Sequence, residues 1–155
     1  MGHIHRLLMT FLVAMVPVIE LRGAIPAGLA GGLGYVETYL AACLGNMLPV
    51  PIIILFVRRV VAWMRKISPR LDRLVGRFLA MAPRQGERGA KYELLGLMIL
   101  VAIPLPGTGA WTGALIAAVL DIRMRQAIPA IGAGVLIAGV VVSLISYSAV
   151  TAFGG

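Results

Sequence analysis

The chain has 155 residues, of which 60% are hydrophobic and 13% charged, with a mean hydropathy of +0.97. A soluble domain of this length cannot enclose that much apolar surface, so composition points to an integral membrane protein of one domain, residues 1–155. The formal charge of +8 is unevenly placed, and the single cysteine, Cys43, excludes an internal disulfide and a cysteine-based metal cluster.

In chain order, the apolar runs differ from ordinary membrane spans. Leu7–Leu21 is short and ends at charges; Pro17 and Glu20 stand where a signal cleavage site would fall, so the run reads as retained. Ala24–Gly34 is shorter still and rich in Gly and Ala. Val36–Val57 reaches the roughly 20 residues that a crossing needs. Leu94–Leu105 is short and runs into PLPGTG, Thr108–Leu120 is short again, and Gln126–Ala152 is long enough to cross.

The order short, break, short, long therefore occurs twice, in residues 1–57 and 93–155. Shifting the chain by 86 residues lays Gly23-Ala24 on Gly109-Ala110 and Leu29 on Leu115. Gly28 and Gly32, like Gly109 and Gly113, have the spacing that lets membrane helices approach closely. Two short helices around a Pro/Gly break read as a re-entrant hairpin, with each arm about half a bilayer deep. The expected fold is all-α and integral to the membrane. It is an inverted repeat in which each half combines a re-entrant hairpin with one transmembrane helix. Four ordinary, slightly short spans are the alternative.

Between the halves, residues 58–92 form a basic segment. Arg58, Arg59, Arg65, Lys66, Arg70, Arg73, Arg77, Arg84, Arg88 and Lys91 are ten of the fourteen Lys and Arg residues. In a membrane protein this marks the cytoplasmic side better than it marks a nucleic-acid partner. Apolar residues recur near helical spacing from Val60 to Phe78, which predicts an amphipathic helix over 58–82 on anionic lipid. With this segment inside, Arg123 and Arg125 also fall inside. The Gly34–Thr38 turn and both termini fall outside, and only Arg6 breaks the charge rule.

The first break carries Glu20 and Arg22. A charge near the bilayer centre costs at least ~2.5–3.5 kcal/mol, so such residues are functional candidates. A helix starting near Gly23 would take Pro26 in its first turn. A second helix would start at Thr108, with that residue as its cap. Two positive helix ends and Arg22 would then form an anion site, and Glu20 could carry a proton. A purely structural Glu20–Arg22 pair is the alternative. Asn46 on the first long span could line the same cavity. No nucleophile–base pair, metal cluster or phosphate loop is visible, so the sequence suggests neither an enzyme nor a cofactor.

The motifs ELRGAIPAG, GNMLPVPIIILF and VAIPLPGTGAWTGALIA resemble the small multidrug export protein family, over about Leu12 to Tyr147. That family is similar to the DedA and VTT membrane proteins, for which facing re-entrant loops are the proposed fold. The resemblance assigns Glu20, Arg22, Gly23 and Pro26 to the first motif. It assigns Pro104, Pro106, Gly107, Thr108, Gly109, Trp111 and Thr112 to the second. It implies a small secondary transporter of the cytoplasmic membrane, coupled to protons and moving a small amphipathic or anionic substrate through a midplane site. A translocase of a phosphate-headed lipid is the runner-up, and a non-transporting membrane scaffold the third reading. The small-residue faces, such as Ala27, Gly31 and Gly134, predict a homo-oligomer.

Overall fold

The computed structural model describes residues 2–67, 69, 72, 73, 76, 87–105 and 107–153. Seven helices are present among them: α1 (His3–Met15), α2 (Glu20–Ala30), α3 (Tyr35–Met47), α4 (Pro49–Ile67), α5 (Glu87–Ala102), α6 (Ala110–Val119) and α7 (Met124–Phe153). No strand occurs among the described residues. Of the amphipathic helix expected over 58–82, residues 58–67 belong to α4, and most positions beyond Ile67 lie outside the described residues.

Two stretches are long and apolar enough to cross a membrane, Tyr35–Ile67 and Met124–Ala149, with mean hydropathies of 2.3 and 2.5. The first is α3 and α4 joined at Leu48, whose N–H still reaches the Leu44 carbonyl at 3.1 Å. Pro49 and Pro51 have no N–H to give the carbonyls one turn back, which is why the helix yields at this point. By contrast α2 and α6, with 11 and 10 residues, are only about 15–17 Å long.

The helices pack in a reciprocal way. α1 lies along α3, and α5 lies along α7; α2 reaches across to α7, and α6 reaches across to α4. Small residues make these approaches possible. A Cβ at Gly28 would come within 2.7 Å of Thr38 and 2.8 Å of Thr10, and one at Gly134 within 2.7 Å of the Met98 carbonyl. The core between them is aliphatic, with Leu21, Ile25, Val50, Ile54, Val101, Ile131 and Val135 essentially sealed from solvent. Leu40, Leu44, Ile52, Leu55, Phe56, Leu136, Val140, Leu144 and Ile145 instead face outward. Such an apolar exterior suits lipid and would be a liability in water.

Polar contacts fix which segments share an end of the bundle. Arg58 on α4 reaches Asp121 at 3.4 Å and donates to the Ile122 carbonyl, so the basic end of α4 meets the turn before Arg123 and Arg125. At the other end His3 lies 3.3 Å from Glu37, and the rings of Tyr35 and Tyr147 meet edge to face at 5.3 Å. Arg6, the residue at odds with the charge rule, donates to the Gly31 carbonyl just beyond α2. There it faces the negative end of the helix dipole.

Candidate functional site

The first break spans Val16–Ile19, earlier than the sequence suggests. Val18 has φ +79° and Glu20 φ +48°, and α2 already begins at Glu20. Pro26 therefore lies inside α2 rather than in its first turn, a correction to the helix start expected near Gly23. The reversal is completed at Val18 and Glu20, and the first turn of α6 holds Glu20 there, so the helix can start before the glycine.

Glu20 is only 4% exposed. Its Oε1 accepts the Trp111 N–H at 3.2 Å, and the N–H of Ala110 also faces the carboxylate. Both donors belong to the first turn of α6. Gly109 precedes them with φ +131°, and a Cβ there would collide with the carboxylate. Glu20 thus takes the place of an N-cap supplied from about 90 residues away in the chain. Thr108, expected to cap α6, does not: Gly109 holds the cap position and no side chain of its own segment caps it. The Thr108 hydroxyl instead ties the break together, 2.7 and 2.8 Å from the carbonyls of Ile103 and Leu105.

Arg22, half-buried, reaches the other side of the same break. Its Nη1 donates to the Leu105 carbonyl, and its Nη2 to the Ile103 carbonyl at 3.2 Å and the Thr108 hydroxyl at 2.8 Å. These carbonyls lie just past the end of α5. The acid from the first break therefore meets the positive end of α6, and the base meets the negative end of α5. Trp111 adds a third link, its Nε1–H donating to the Met15 carbonyl at 3.1 Å. Thr112 stays within its own segment, donating to the Gly107 carbonyl at 2.9 Å.

Among the described residues the ion pairs within 4 Å are His3–Glu37, Arg58–Asp121 and Arg65–Asp72. Glu20 and Arg22 do not form one; each is committed to the opposite half.

Of the residues singled out in the sequence, Glu20, Arg22, Thr108, Gly109 and Trp111 meet directly. Gly23 lies in α2 beside them, and Pro104 and Gly107 lie in the second break. Pro106 lies outside the described residues. Asn46 is fully buried, and neither amide atom has a hydrogen-bond partner among the described residues. Leaving buried polar groups unpaired costs about 1–3 kcal/mol each. On α3 the neighbouring Gly45 backs onto Phe11 and Ala14 of α1, while Met47 reaches Gly132 of α7. Asn46 stands between them on α3, a helix packed against α1, α2 and α7.

Sequence reasoning missed the receiving groups, which are backbone: the carbonyls of Met15, Ile103 and Leu105. It also missed a group of tyrosines between α3 and α7. Their signal was present, because Tyr35 and Tyr39, like Ser143 and Tyr147, stand four apart and share a helix face.

Two long apolar helical stretches, an apolar exterior and two charged side chains tied to backbone where the breaks meet mark a small helical membrane protein. Over residues 20–141 the chain matches the model of the family described as "Putative small multi-drug export protein", and it belongs to that family. The family's name suggests an export function. No curated protein and no solved structure matches the chain.

Proposed function

We propose that the protein is a proton-coupled exporter of small amphipathic molecules in the cytoplasmic membrane, built as two halves of opposite orientation around a midplane site. The observation that carries this reading is Glu20, a buried carboxylate from one half held by the first turn of a helix in the other. While ionised, it is favoured by the α6 N–H groups and dipole. Protonation removes that charge and loosens the link between the halves. A proton taken up at Glu20 is thereby converted into movement of one half against the other, which is what alternating access requires.

Several features support the inverted arrangement. The packing of α1 on α3 and α5 on α7 is reciprocal, as is that of α2 on α7 and α6 on α4. Arg22 bonds Thr108, 86 residues on, its counterpart under the shift that aligns the two halves. The short α2 and α6 then act as the returning arms of re-entrant hairpins, tied to each other where Glu20 meets the Trp111 N–H and Arg22 meets Thr108. The basic segment, Arg123 and Arg125 face the cytoplasm, and both termini face outward. A phosphate-headed lipid is the alternative cargo: once Glu20 is protonated, the N–H groups of the first turn of α6 would be offered to its phosphate.

The test is transport in proteoliposomes together with thermal stability for four variants. Arg22→Ala should fold and lose transport, and Arg22→Lys should retain part of it, keeping the charge without the planar fork. Glu20→Gln should bind substrate but lose its response to a pH gradient. If both Glu20→Gln and Arg22→Ala unfold the protein while the double variant Glu20→Gln/Arg22→Met restores stability and transport together, the two residues only hold the breaks in place.

A further inference from the structure

Asn46 is the chain's one asparagine. It is fully buried on α3, and neither its Oδ1 nor its Nδ2 has a hydrogen-bond partner among the described residues. A side chain so enclosed is out of reach of a solute, and its partner has to be a group already in the interior.

The helix pattern points to that group. α3 and α4 form one nearly continuous stretch, Tyr35–Ile67. Leu44, Leu48, Ile52 and Leu55 make its exposed stripe, and Asn46, Val50, Ile53 and Ile54 make the buried stripe opposite. From Val50 onward the buried stripe packs on α6, whose Ala110, Ala114 and Ala117 are sealed in the same core. The end of α6 meets the second half of α4, where Arg58 reaches Asp121, so the two helices run in the same direction. Ala110 stands as far before Asp121 as Met47 does before Arg58. The first turn of α6 is therefore level with Asn46 and Met47, and that turn holds the Glu20 carboxylate.

We propose that Asn46 is the second partner of Glu20, engaged when the carboxylate takes up a proton. An ionised carboxylate only accepts hydrogen bonds, and the α6 N–H groups suit it. The protonated acid has a donor and an acceptor, and the amide offers the complement of each. The Glu20 O–H donates to Asn46 Oδ1, and Asn46 Nδ2–H donates to the other carboxyl oxygen. One partner then satisfies both orphaned atoms. Glu20 and Asn46 belong to the same half, so this pair replaces a bond between the halves with one inside a half. The proposal deepens the transport reading and rests on it for proton uptake at Glu20.

Among the described residues, Arg22 on α2 is the charged side chain whose field reaches Glu20, and α6 carries no ionisable group. The helices packed on α2 hold their charges at remote ends: His3, His5 and Arg6 at the start of α1, Glu37 at the start of α3, Arg125 at the start of α7. Tyr39 and Cys43 of α3 lie against Gly139 of α7, and Tyr147 of α7 meets Tyr35 of α3.

The experiment uses the full chain in nanodiscs of phosphatidylcholine and phosphatidylglycerol, with asparagine isotopically labelled at its side-chain carbonyl. Infrared difference spectra are taken as the buffer is acidified, and the Glu20 acid band is assigned by its absence in Glu20→Gln. In the wild type the Asn46 band should shift with the same midpoint as the Glu20 acid band appears. Asn46 stabilises the protonated form, so Asn46→Leu should lower the proton affinity of Glu20 about 10-fold, moving the midpoint down by about one pH unit. Asn46→Gln should recover part of this. An Asn46 band that stays still while Glu20 protonates overturns the proposal, and it needs no folded variant at position 46. An unchanged midpoint in a folded Asn46→Leu overturns it as well. A wild type in which Glu20 never protonates removes the proposal and the proton coupling together. Coupled bands in a protein that moves no ethidium, an amphipathic aromatic cation, across proteoliposomes support the Asn46 pairing and remove the transporter.

Discussion

At Gly109 the backbone has φ +131° and the Glu20 carboxylate fills the space where a side chain would begin. Gly109→Ala therefore suffers twice, from left-handed strain and from collision, and should lose about 2–4 kcal/mol. Gly107 is the control: its φ is +83°, but nothing stands within 4 Å of the point a Cβ would occupy. Gly107→Ala should lose only about 1 kcal/mol. Chemical denaturation in a mild detergent compares the two. Asn46→Leu tests the orphaned amide. Removing two unpaired polar groups at similar volume should leave stability equal or higher, by up to about 3 kcal/mol, while transport falls. A variant that is less stable yet fully active would mean that the amide serves the fold alone.

At the scale of elements, the sequence announces the long helices and both breaks. Hydrophobic length and Pro/Gly content are local properties, readable in a single pass. It misplaces the details at the breaks for one reason. Whether a helix starts at Glu20 or Gly23, and whether Thr108 or Glu20 caps α6, is decided by groups about 90 residues apart. The same limit hid the carbonyl partners of Arg22, because a backbone acceptor leaves no mark in residue identity. Trp111 shows the consequence. Its Nε1–H links α6 to the Met15 carbonyl at the end of α1. Trp111→Phe keeps an aromatic ring and drops this bond, so it should cost about 1 kcal/mol in thermal stability. No loss would mean that the two segments are held by the Glu20 and Arg22 contacts alone.

For the whole molecule, the ends of the bundle predict a topology. Arg58, Asp121 and the residues that follow share one end, while His3, Glu37, Tyr35 and Tyr147 share the other. Single cysteines near Arg65 and Arg123 should be labelled only from the cytoplasmic side, and those near Gly2 and Glu37 only from outside. Labelling of Gly2 and Arg65 positions from the same side would contradict the arrangement. The wide apolar exterior also predicts that two or more copies associate. Native mass measurement in nanodiscs should then find no dominant monomer.

The central claim is that this small protein moves an amphipathic molecule at the expense of a proton gradient, through a link that Glu20 makes and releases. Its most direct test is ethidium movement in proteoliposomes under an imposed pH gradient, with wild type and Glu20→Gln side by side. The account predicts that the gradient drives ethidium across with the wild type and that a protonophore stops it. Glu20→Gln should still exchange ethidium across the membrane when no gradient is applied, with no response when one is. A wild type that moves no ethidium in either condition, or a Glu20→Gln protein that follows the gradient as the wild type does, would contradict it.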